Sequence, residues 1–370
     1  MQYLDWMVLS VTLLFIVVYG AIKTKGSANV KDYILGNNET PWFTVGISVM
    51  ATQASAITFL STPGQAYHDG MGFVQFYFGL PIAMVVIAYT FIPIYHKLKV
   101  YTAYEYLEQR FDVKTRTLAA LLFLIQRGLG TGITIYAPAI ILSALLGWNL
   151  FFLNIMIGIL VIIYTVTGGT KAVNVTQKQQ MFVIFLGMII TFVIIMNQLP
   201  EKLDFDNVLK IAGANGKMNI LDFSYNPNTK YTFWSGITGG FFLMLSYFGT
   251  DQSQVGRYLS GKSVKESQMG LIMNGILKVP MQFFILLTGV FVFVFFQFNS
   301  APLHFNPTNV KNIEASQYKD DYKNLEDKLA VINEEKNVIN QIYIEQLNFE
   351  YDNKALKKEM ISLSAKEKEY

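Results

Sequence analysis

Long apolar segments separated by short polar connections follow one another along the first 300 residues of the chain. A helix that crosses a bilayer needs about 20 mostly apolar residues, and roughly eight segments reach that length. They cover approximately residues 4–22, 42–62, 72–96, 118–146, 150–168, 179–198, 232–250 and 268–298. The pattern therefore predicts an all-α, polytopic membrane protein that is surrounded by the lipid bilayer.

The second apolar segment is unusually polar for a helix inside a membrane. It includes Thr52, Gln53, Ser55 and Thr58 at a depth where apolar side chains are expected. Each polar group without a partner in hydrocarbon costs several kcal/mol, so such a helix normally faces other protein or a water-filled cavity. In transporters a helix of this kind is often broken, and its freed backbone carbonyls bind an ion. Alternatively, Gln53, Ser55 and Thr58 only join neighbouring helices by hydrogen bonds.

The seventh apolar segment contains a second interruption, which runs from Gly249 to Gln254 and includes Asp251. Two interrupted segments separated by four ordinary ones favour a transport site at which the interrupted segments meet. In the alternative interpretation, Asp251 forms an ion pair with Arg257 in the same connection and has only a structural role.

Three further polar residues lie within the apolar segments. Gln75 and Tyr77 occupy the first two turns of the third segment, where they either contact a solute or anchor the helix at the membrane interface. Arg127 lies about ten residues into the fourth segment, and an ionisable residue inside a span favours a functional role. The alternative is that its long side chain extends to the cytoplasmic surface.

Composition and charge agree with a membrane protein. Charged residues make up only 15% of the chain, whereas soluble domains contain about 25%. The chain has no cysteine, which excludes disulfides and cysteine-ligated metals. Basic residues are concentrated after the odd-numbered segments, as Lys97 and Lys99 are after the third. The positive-inside rule then places the N-terminus and residues 301–370 outside a cell inner (plasma) membrane.

The character of the chain changes after Asn299, because residues 309–370 are rich in lysine and glutamate and contain no glycine or proline. Apolar residues recur there with a spacing close to that of a coiled coil, at Tyr322, Leu325, Leu329, Ile332, Ile339 and Tyr343. One interpretation is a packed helical hairpin that contacts a partner protein through residues 310–370. The other is a solvated, partly disordered insertion.

Four short motifs add a resemblance to these patterns. They are Ala-Thr-Gln-Ala-Ser-Ala at 51–56, Ile-Tyr-Ala-Pro-Ala at 135–139, Thr-Gly-Gly-Thr-Lys-Ala-Val at 167–173 and Asp-Gln-Ser-Gln-Val-Gly-Arg-Tyr-Leu at 251–259. Together they resemble motifs of the sodium:solute symporter family, which includes sodium-coupled sugar, proline, iodide, vitamin and monocarboxylate transporters. The resemblance implies a LeuT-like inverted-repeat core with a complete first repeat and a partial second one. Residues 1–300 then form a partial transporter core, residues 301–370 an extramembrane charged segment, and the sequence is that of a C-terminally truncated or partial member.

The resemblance also implies site residues. Sodium is bound by the backbone carbonyls of Ala51 and Ala54, and the remaining sodium ligands are expected on a helix that this chain does not contain. No other metal and no cofactor besides sodium is expected. The implied ion path includes Gln177, where the family usually has Asp, and Gln180. The expected solute contacts are Gln53, Ser55, Thr58, Gln75, Tyr77, Arg127, Asp251, Gln252 and Ser253.

The implied function is sodium-coupled secondary active symport by alternating access, not enzymatic catalysis or nucleic-acid binding. Arg127 favours a small organic anion, such as a monocarboxylate or an acidic sugar, because a carboxylate forms a charge-assisted pair with its guanidinium. Tyr77 replaces an acidic residue of the sugar transporters and Ser253 replaces their gating tyrosine, which argues against a hexose. Two alternatives remain, a symporter of a neutral solute in which Arg127 is structural, and a transporter-like membrane sensor or scaffold.

Overall fold

The computed structural model describes residues 3–23, 30–201, 203–347 and 354–367. Within these ranges the chain is helical, apart from connections and one isolated parallel β-bridge between Thr40 and Gly261. The helices are α1 Tyr3–Lys23, α2 Val30–Leu35, α3 Trp42–Gln53, α4 Ala56–Asp69, α5 Gly79–Tyr89, α6 Phe91–Leu98, α7 Ala103–Arg110, α8 Val113–Leu146, α9 Leu150–Gln198, α10 Phe205–Ala214, α11 Phe233–Ser235, α12 Phe241–Thr250, α13 Gln252–Leu259, α14 Val264–Phe298, α15 Pro307–Glu314, α16 Lys319–Leu347 and α17 Lys354–Glu367. Two tighter turns, Gly36–Asn38 and Met71–Tyr77, are 3₁₀ helices, and Gly236–Gly240 forms a π-helix. The predicted all-α fold is confirmed.

Four helical stretches of the described chain are long and apolar enough to cross a membrane: Met71–Leu98, Val113–Leu146, Val173–Gln198 and Val264–Phe298. The bent pair α3–α4 brings the number to five when it is counted as one span. The number of eight spans predicted from hydropathy is therefore not confirmed within the described residues. The membrane class of the protein is confirmed, because several of its helices have the length and composition of spans.

Two segments that hydropathy separates, 150–168 and 179–198, belong to the single element α9. The helix bends at Gly169, whose φ of 56° and ψ of −157° are not helical. Glycine tolerates this positive φ because it has no Cβ. A Cβ there would lie 2.7 Å from the carbonyl oxygen of Tyr33, so the absence of a side chain also lets α2 approach.

The long helix α14 lies at the centre of the bundle and packs against α3, α4, α5 and α9. It runs parallel to the α3–α4 pair, because Gly270 lies beside Val45 and Gly289 lies beside Pro63. The two glycines let the helices approach closely, and a Cβ at Gly289 would overlap the backbone of Pro63. Small residues at such contacts are typical of helix packing in membranes.

The described part of the charged C-terminal segment forms the packed hairpin of the two alternatives. Helices α16 and α17 lie against each other; α16 also packs against the C-terminal end of α14, and α17 packs against α10. The Lys336 ammonium is 2% exposed and lies 2.7 Å from a carboxylate oxygen of Glu367. Tyr343 and Met360 are buried in a cluster with Phe291 of α14. Lys336, which interrupts the apolar spacing, thus joins the two helices of the hairpin.

Candidate functional site

The first break lies where α3 ends and α4 begins, at Ala54 and Ser55. Ala54 has φ −81° and ψ 76°, and Ser55 is extended with φ −81° and ψ 175°. The helices on either side are bent relative to each other by 58°. The polar second segment is therefore an interrupted helix, as its sequence predicts.

The break leaves two carbonyls without their usual helical partners. In an α-helix each carbonyl accepts from the N–H four residues later. The Ser55 N–H donates instead to Gln53 at 3.0 Å, so it does not reach the carbonyl of Ala51. The Thr58 N–H donates to Ser55 at 2.9 Å, so it does not reach the carbonyl of Ala54. These are the two carbonyls that the family resemblance implies as sodium ligands.

The polar side chains around this break face in different directions. The Gln53 amide nitrogen donates to the sulfur of Met244 on α12 at 3.7 Å. Its amide oxygen is buried and has no hydrogen-bond partner among the described residues. The Thr58 hydroxyl lies 3.5 Å from the Gln53 carbonyl, and Ser55 begins α4 without a side-chain cap. Gln53 thus brings the first interrupted helix next to the second one.

The second break is the single residue Asp251, between α12 and α13. Its carboxylate accepts hydrogen bonds from the N–H of Ser253 at 2.9 Å and from the hydroxyl of Ser253 at 2.6 Å. Arg127 donates from Nη2 to the same carboxylate oxygen at 2.9 Å and also contacts the Ser253 hydroxyl. Three predicted solute contacts therefore meet here.

This geometry changes the interpretation of Arg127. Its charge is already compensated by Asp251, and its guanidinium carbon lies 5.8 Å from the ring centre of Tyr247. The side chain of Arg127 is 32% exposed and that of Asp251 only 8%. The described partner of Asp251 is thus Arg127, 124 residues away, and not Arg257 as one alternative proposed.

Gln252 connects the second break to the short helix α7. Its amide oxygen accepts the N–H of Ala103 at 2.9 Å, and its amide nitrogen donates to the carbonyl of Tyr101 at 3.2 Å. Both sides of the amide are therefore occupied by backbone. In this conformation Gln252 positions α7, and contact with a solute stays a prediction.

Gln75 and Tyr77 lie in the 3₁₀ turn before α5 and are both buried. The Gln75 amide donates to the carbonyls of Gly72 at 3.2 Å and Tyr231 at 3.1 Å, and it accepts the N–H of Asp222 at 2.8 Å. These bonds join the loop that precedes α11, at Asp222 and Tyr231, to the 3₁₀ turn Met71–Tyr77. This role of Gln75 in joining backbone segments was not among the two that the sequence predicts. Its contact with a solute stays a prediction.

A neutral polar network joins the inner part of α3 to α9. The Ser48 hydroxyl lies 2.6 Å from the amide oxygen of Asn174 and 2.5 Å from that of Gln177. Gln177 also donates to the hydroxyl of Thr52 at 3.0 Å. Gln177, a residue of the implied ion path, therefore lies next to the last turns of α3. Gln180, the other residue of that path, lies outside this network.

The sequence reasoning did not single out a polar stripe on α14. Asn274, Lys278 and Gln282 recur every four residues in an apolar span and are all fully buried. The Lys278 ammonium, both amide atoms of Gln282 and the amide oxygen of Asn274 have no hydrogen-bond partner among the described residues. A lysine inside a span is a functional candidate by default, and this spacing was the signal that could have identified it.

The stripe lies alongside the first break. Gly270 is next to Val45 and Gly289 is next to Pro63, and α14 runs parallel to α3–α4 between these contacts. Lys278 follows Gly270 by eight residues and therefore lies level with the end of α3. By this register the backbone of Lys278 lies at about the height of the released carbonyls. Met281 and Ile285, the next inward residues of α14, pack in one cluster with Met50 and Ala54.

Most of the chain is similar to one family of membrane transporters. A model of the sodium:solute symporter family matches residues 33–320. Sodium-coupled monocarboxylate transporter 1 of Xenopus laevis is 32% identical over 276 residues, which cover 73% of this chain and 43% of that protein. The human sodium/iodide cotransporter is 32% identical over 249 residues, with 67% of this chain and 38% of that protein covered.

Among solved structures, the chain is similar to a Na⁺-coupled sialic acid symporter in its substrate-bound outward-open state. The TM-score is 0.74 at 28% identity, and the match covers 82% of this chain and 65% of that one. The chain spans less than half the length of the curated relatives described above.

Proposed function

Because the chain belongs to the sodium:solute symporter family, we propose that the protein is a sodium-coupled secondary active symporter of a small organic anion. The observation that carries this proposal is the break at Ala54 and Ser55, which frees two carbonyls in the same layer as the buried Lys278. The solute moves by alternating access, in which two groups of helices rock around a fixed site.

Sodium coupling is supported by the donor set at the first break. Hard cations prefer oxygen ligands, and backbone carbonyls are common among them. The carbonyls of Ala51 and Ala54 fit this preference, and further oxygen donors must complete the coordination. One sodium ion that moves down a 100 mV potential releases about 2.3 kcal/mol, to which its concentration gradient adds.

An anionic solute is supported by the charges within the spanning helices. Arg127 and Asp251 compensate each other, whereas Lys278 has no acidic or polar partner among the described residues. A protonated Lys278 would therefore have no counter-charge in this layer, and a buried charge without a partner is costly. An anion that passes through this layer during transport would offset this charge, apart from any contact that its carboxylate makes with Arg127. The similar proteins named for monocarboxylates and for sialic acid, an acidic sugar, agree with this solute class.

A neutral solute is the second candidate, because the pairing of Arg127 with Asp251 gives Arg127 a structural role. In that case the two interrupted helices bind hydroxyl or amide groups of the solute, and Lys278 donates to one of them as a hydrogen-bond donor.

The proposed orientation follows the positive-inside rule, with the N-terminus and residues 301–370 outside the cell membrane. Contact with a partner protein through residues 310–370 remains a proposal, and the exposed Val331 and Val338 of α16 are available for it.

The test is uptake by the protein, expressed from its complete reading frame and reconstituted in vesicles. We expect a sodium gradient to drive uptake of L-lactate or N-acetylneuraminate, but not of glucose. Lys278→Met should lower this uptake at least about tenfold, while the protein should unfold at the same or a higher temperature, because Met fills the space without a buried charge. Lys328→Met, at an exposed lysine of α16, is the matched control. Sodium-driven uptake of glucose alone would establish the neutral candidate instead.

A further inference from the structure

We propose that Asp251 is an internal competitor for the carboxylate of the solute. It occupies Arg127 in the solute-free protein, and the arriving anion takes its place on the guanidinium. This inference rests on the proposed function, since it requires an anionic solute. It assigns Asp251 a role in anion affinity that differs from direct contact with the solute.

The hydrogen bonds of Arg127 are the first support. A guanidinium has five N–H donors in a planar fork that matches a carboxylate. In the structure only Nη2 contacts Asp251 and Ser253. Nε of Arg127 is buried and has no hydrogen-bond partner among the described residues. Asp251 and Ser253 therefore occupy a single nitrogen of the fork, and Tyr247 lies against the guanidinium. A carboxylate that takes the place of Asp251 could align with the fork better than Asp251 does.

The surroundings of the pair are the second support. A cleft of about 450 Å³ opens between α7, α8 and α12, and Asp251, Gln126, Tyr104 and Tyr247 line it. Its volume lies in the range of small-molecule sites, which span roughly 300–1,000 Å³. Arg127 itself does not line the cleft, whereas its partner Asp251 does. A small carboxylate in the cleft would therefore meet Asp251 first, and it would reach the guanidinium only where Asp251 has left it.

Electrostatics makes the two carboxylates exclusive. Arg127 carries one positive charge, and Asp251 already compensates it. Two carboxylates at hydrogen-bond distance from one guanidinium repel each other. The solute therefore replaces Asp251 on Arg127 rather than joining it.

The displacement has a mechanical consequence. The ion pair links α8 to the joint between α12 and α13, so its loss frees that joint from α8. Asp251 would still cap α13 through the N–H and hydroxyl of Ser253, which keeps the helix intact. The anion therefore binds more tightly to the state in which the α12–α13 joint is separated from α8. This difference in affinity between two states is what allows a ligand to drive a conformational change.

The test is Asp251→Asn, because asparagine caps a helix as well as aspartate does but carries no charge. We expect this variant to bind L-lactate or N-acetylneuraminate about five- to twentyfold more tightly in calorimetry at saturating sodium, which is a usual size for coupling between two interactions. Asp112→Asn is the matched control. Asp112 also caps a helix, accepts the Thr115 N–H at 2.7 Å and has no basic partner within 4 Å among the described residues. The Thr115 N–H lowers the pKa of Asp112, and the control should leave anion affinity unchanged.

A second measurement follows the joint itself. The chain has no cysteine, so Thr250→Cys at the wall of the cleft gives a single reactive thiol. We expect the anion to accelerate its labelling when Asp251 is present, and labelling to be fast already without anion when Asp251→Asn is added. Equal anion affinity and equal labelling with and without the Asp251→Asn substitution would overturn the competitor role and leave the proposed function standing. Absence of anion binding in both proteins would overturn the proposed function, and this inference with it.

Discussion

At the first break two residues leave the helix, whereas at the second break only Asp251 does. The first break leaves the carbonyls of Ala51 and Ala54 without their helical N–H partners. At the second break the Gly249 carbonyl accepts the hydroxyl of Tyr95 at 2.9 Å, and the Asp251 carbonyl accepts two N–H groups of α13.

The difference teaches that an interrupted helix is not by itself an ion site. At the second break, Tyr95 donates to the Gly249 carbonyl, the Asp251 side chain caps α13, and Arg127 compensates the charge of Asp251. The first break has no side-chain cap, and its loose carbonyls share a layer with Lys278, which has no partner among the described residues. Under the proposed function, a cation meets carbonyls at the first break that have lost their helical partners, whereas an anion at the second break must first displace Asp251 from Arg127.

The largest expected effect concerns the backbone contact between α14 and α4, the helix that follows the first break. Gly289→Ala should destabilise the protein by about 1–3 kcal/mol, because the new Cβ overlaps the backbone of Pro63, which cannot shift without moving α4. Gly249→Ala at the second break should cost clearly less, since a Cβ there meets only the ring of Phe91, at 3.1 Å. Thermal unfolding in detergent measures both changes.

Gly187→Ala in α9 is the control, because nothing lies within 4 Å of a Cβ there and alanine favours a helix. An equal loss of stability at Gly289 and Gly249 would show that α4 after the first break is packed no more tightly than the helix before the second break.

The next effect concerns the polar network that joins α3, the helix before the first break, to α9. Ser48→Ala should lower the free energy of unfolding by about 1–2 kcal/mol, because it removes the one hydroxyl donor that lies between the buried amide oxygen of Asn174 and the partly buried amide oxygen of Gln177. Denaturation in mixed micelles gives the value. Ser362→Ala removes an exposed hydroxyl on α17 and should change stability by less than about 0.5 kcal/mol. No difference between the two variants would contradict a structural role of the network.

The smallest effect concerns the connection between the second break and α7. Gln252→Leu removes the acceptor of the Ala103 N–H and the donor to Tyr101. A hydrogen bond of this kind contributes about 0.5–1.5 kcal/mol, so we expect roughly three- to tenfold faster hydrogen exchange at Ala103. Gln341→Leu on the exposed face of α16 is the control. Unchanged exchange at Ala103 would mean that Gln252 does not position α7.

Local polarity was enough to locate both breaks. Polar residues within an apolar run are visible in the sequence itself. One run contains Thr52, Gln53 and Ser55, and another contains Asp251 after Gly249. Asn274, Lys278 and Gln282 are also polar residues in an apolar run, and their spacing of four residues places them on one helix face. The sequence analysis did not identify them, although they are buried in the structure. Periodicity indicates that such residues share a helix face, but not which face is buried.

Partners could not be predicted, because they join residues far apart in the chain. Gln75 was expected to meet a solute or the interface; its bonds to the backbone of Asp222 and Tyr231 were not predicted, and its contact with a solute stays a prediction. Arg127 was expected to meet a solute or extend to the cytoplasmic surface, and it lies 2.9 Å from Asp251. Each of these contacts depends on how helices with similar apolar surfaces pack.

The amino-acid sequence by itself determined the membrane class, the positions of the two interruptions and the family, since these depend on local hydropathy and on short motifs. The tertiary structure alone decided that Asp251 compensates Arg127 and that Lys278 stands without a described partner beside the first break. The physical reason is that the cost of a charge or a free carbonyl inside a membrane depends on what lies next to it. Helix packing, and not residue order, determines those neighbours.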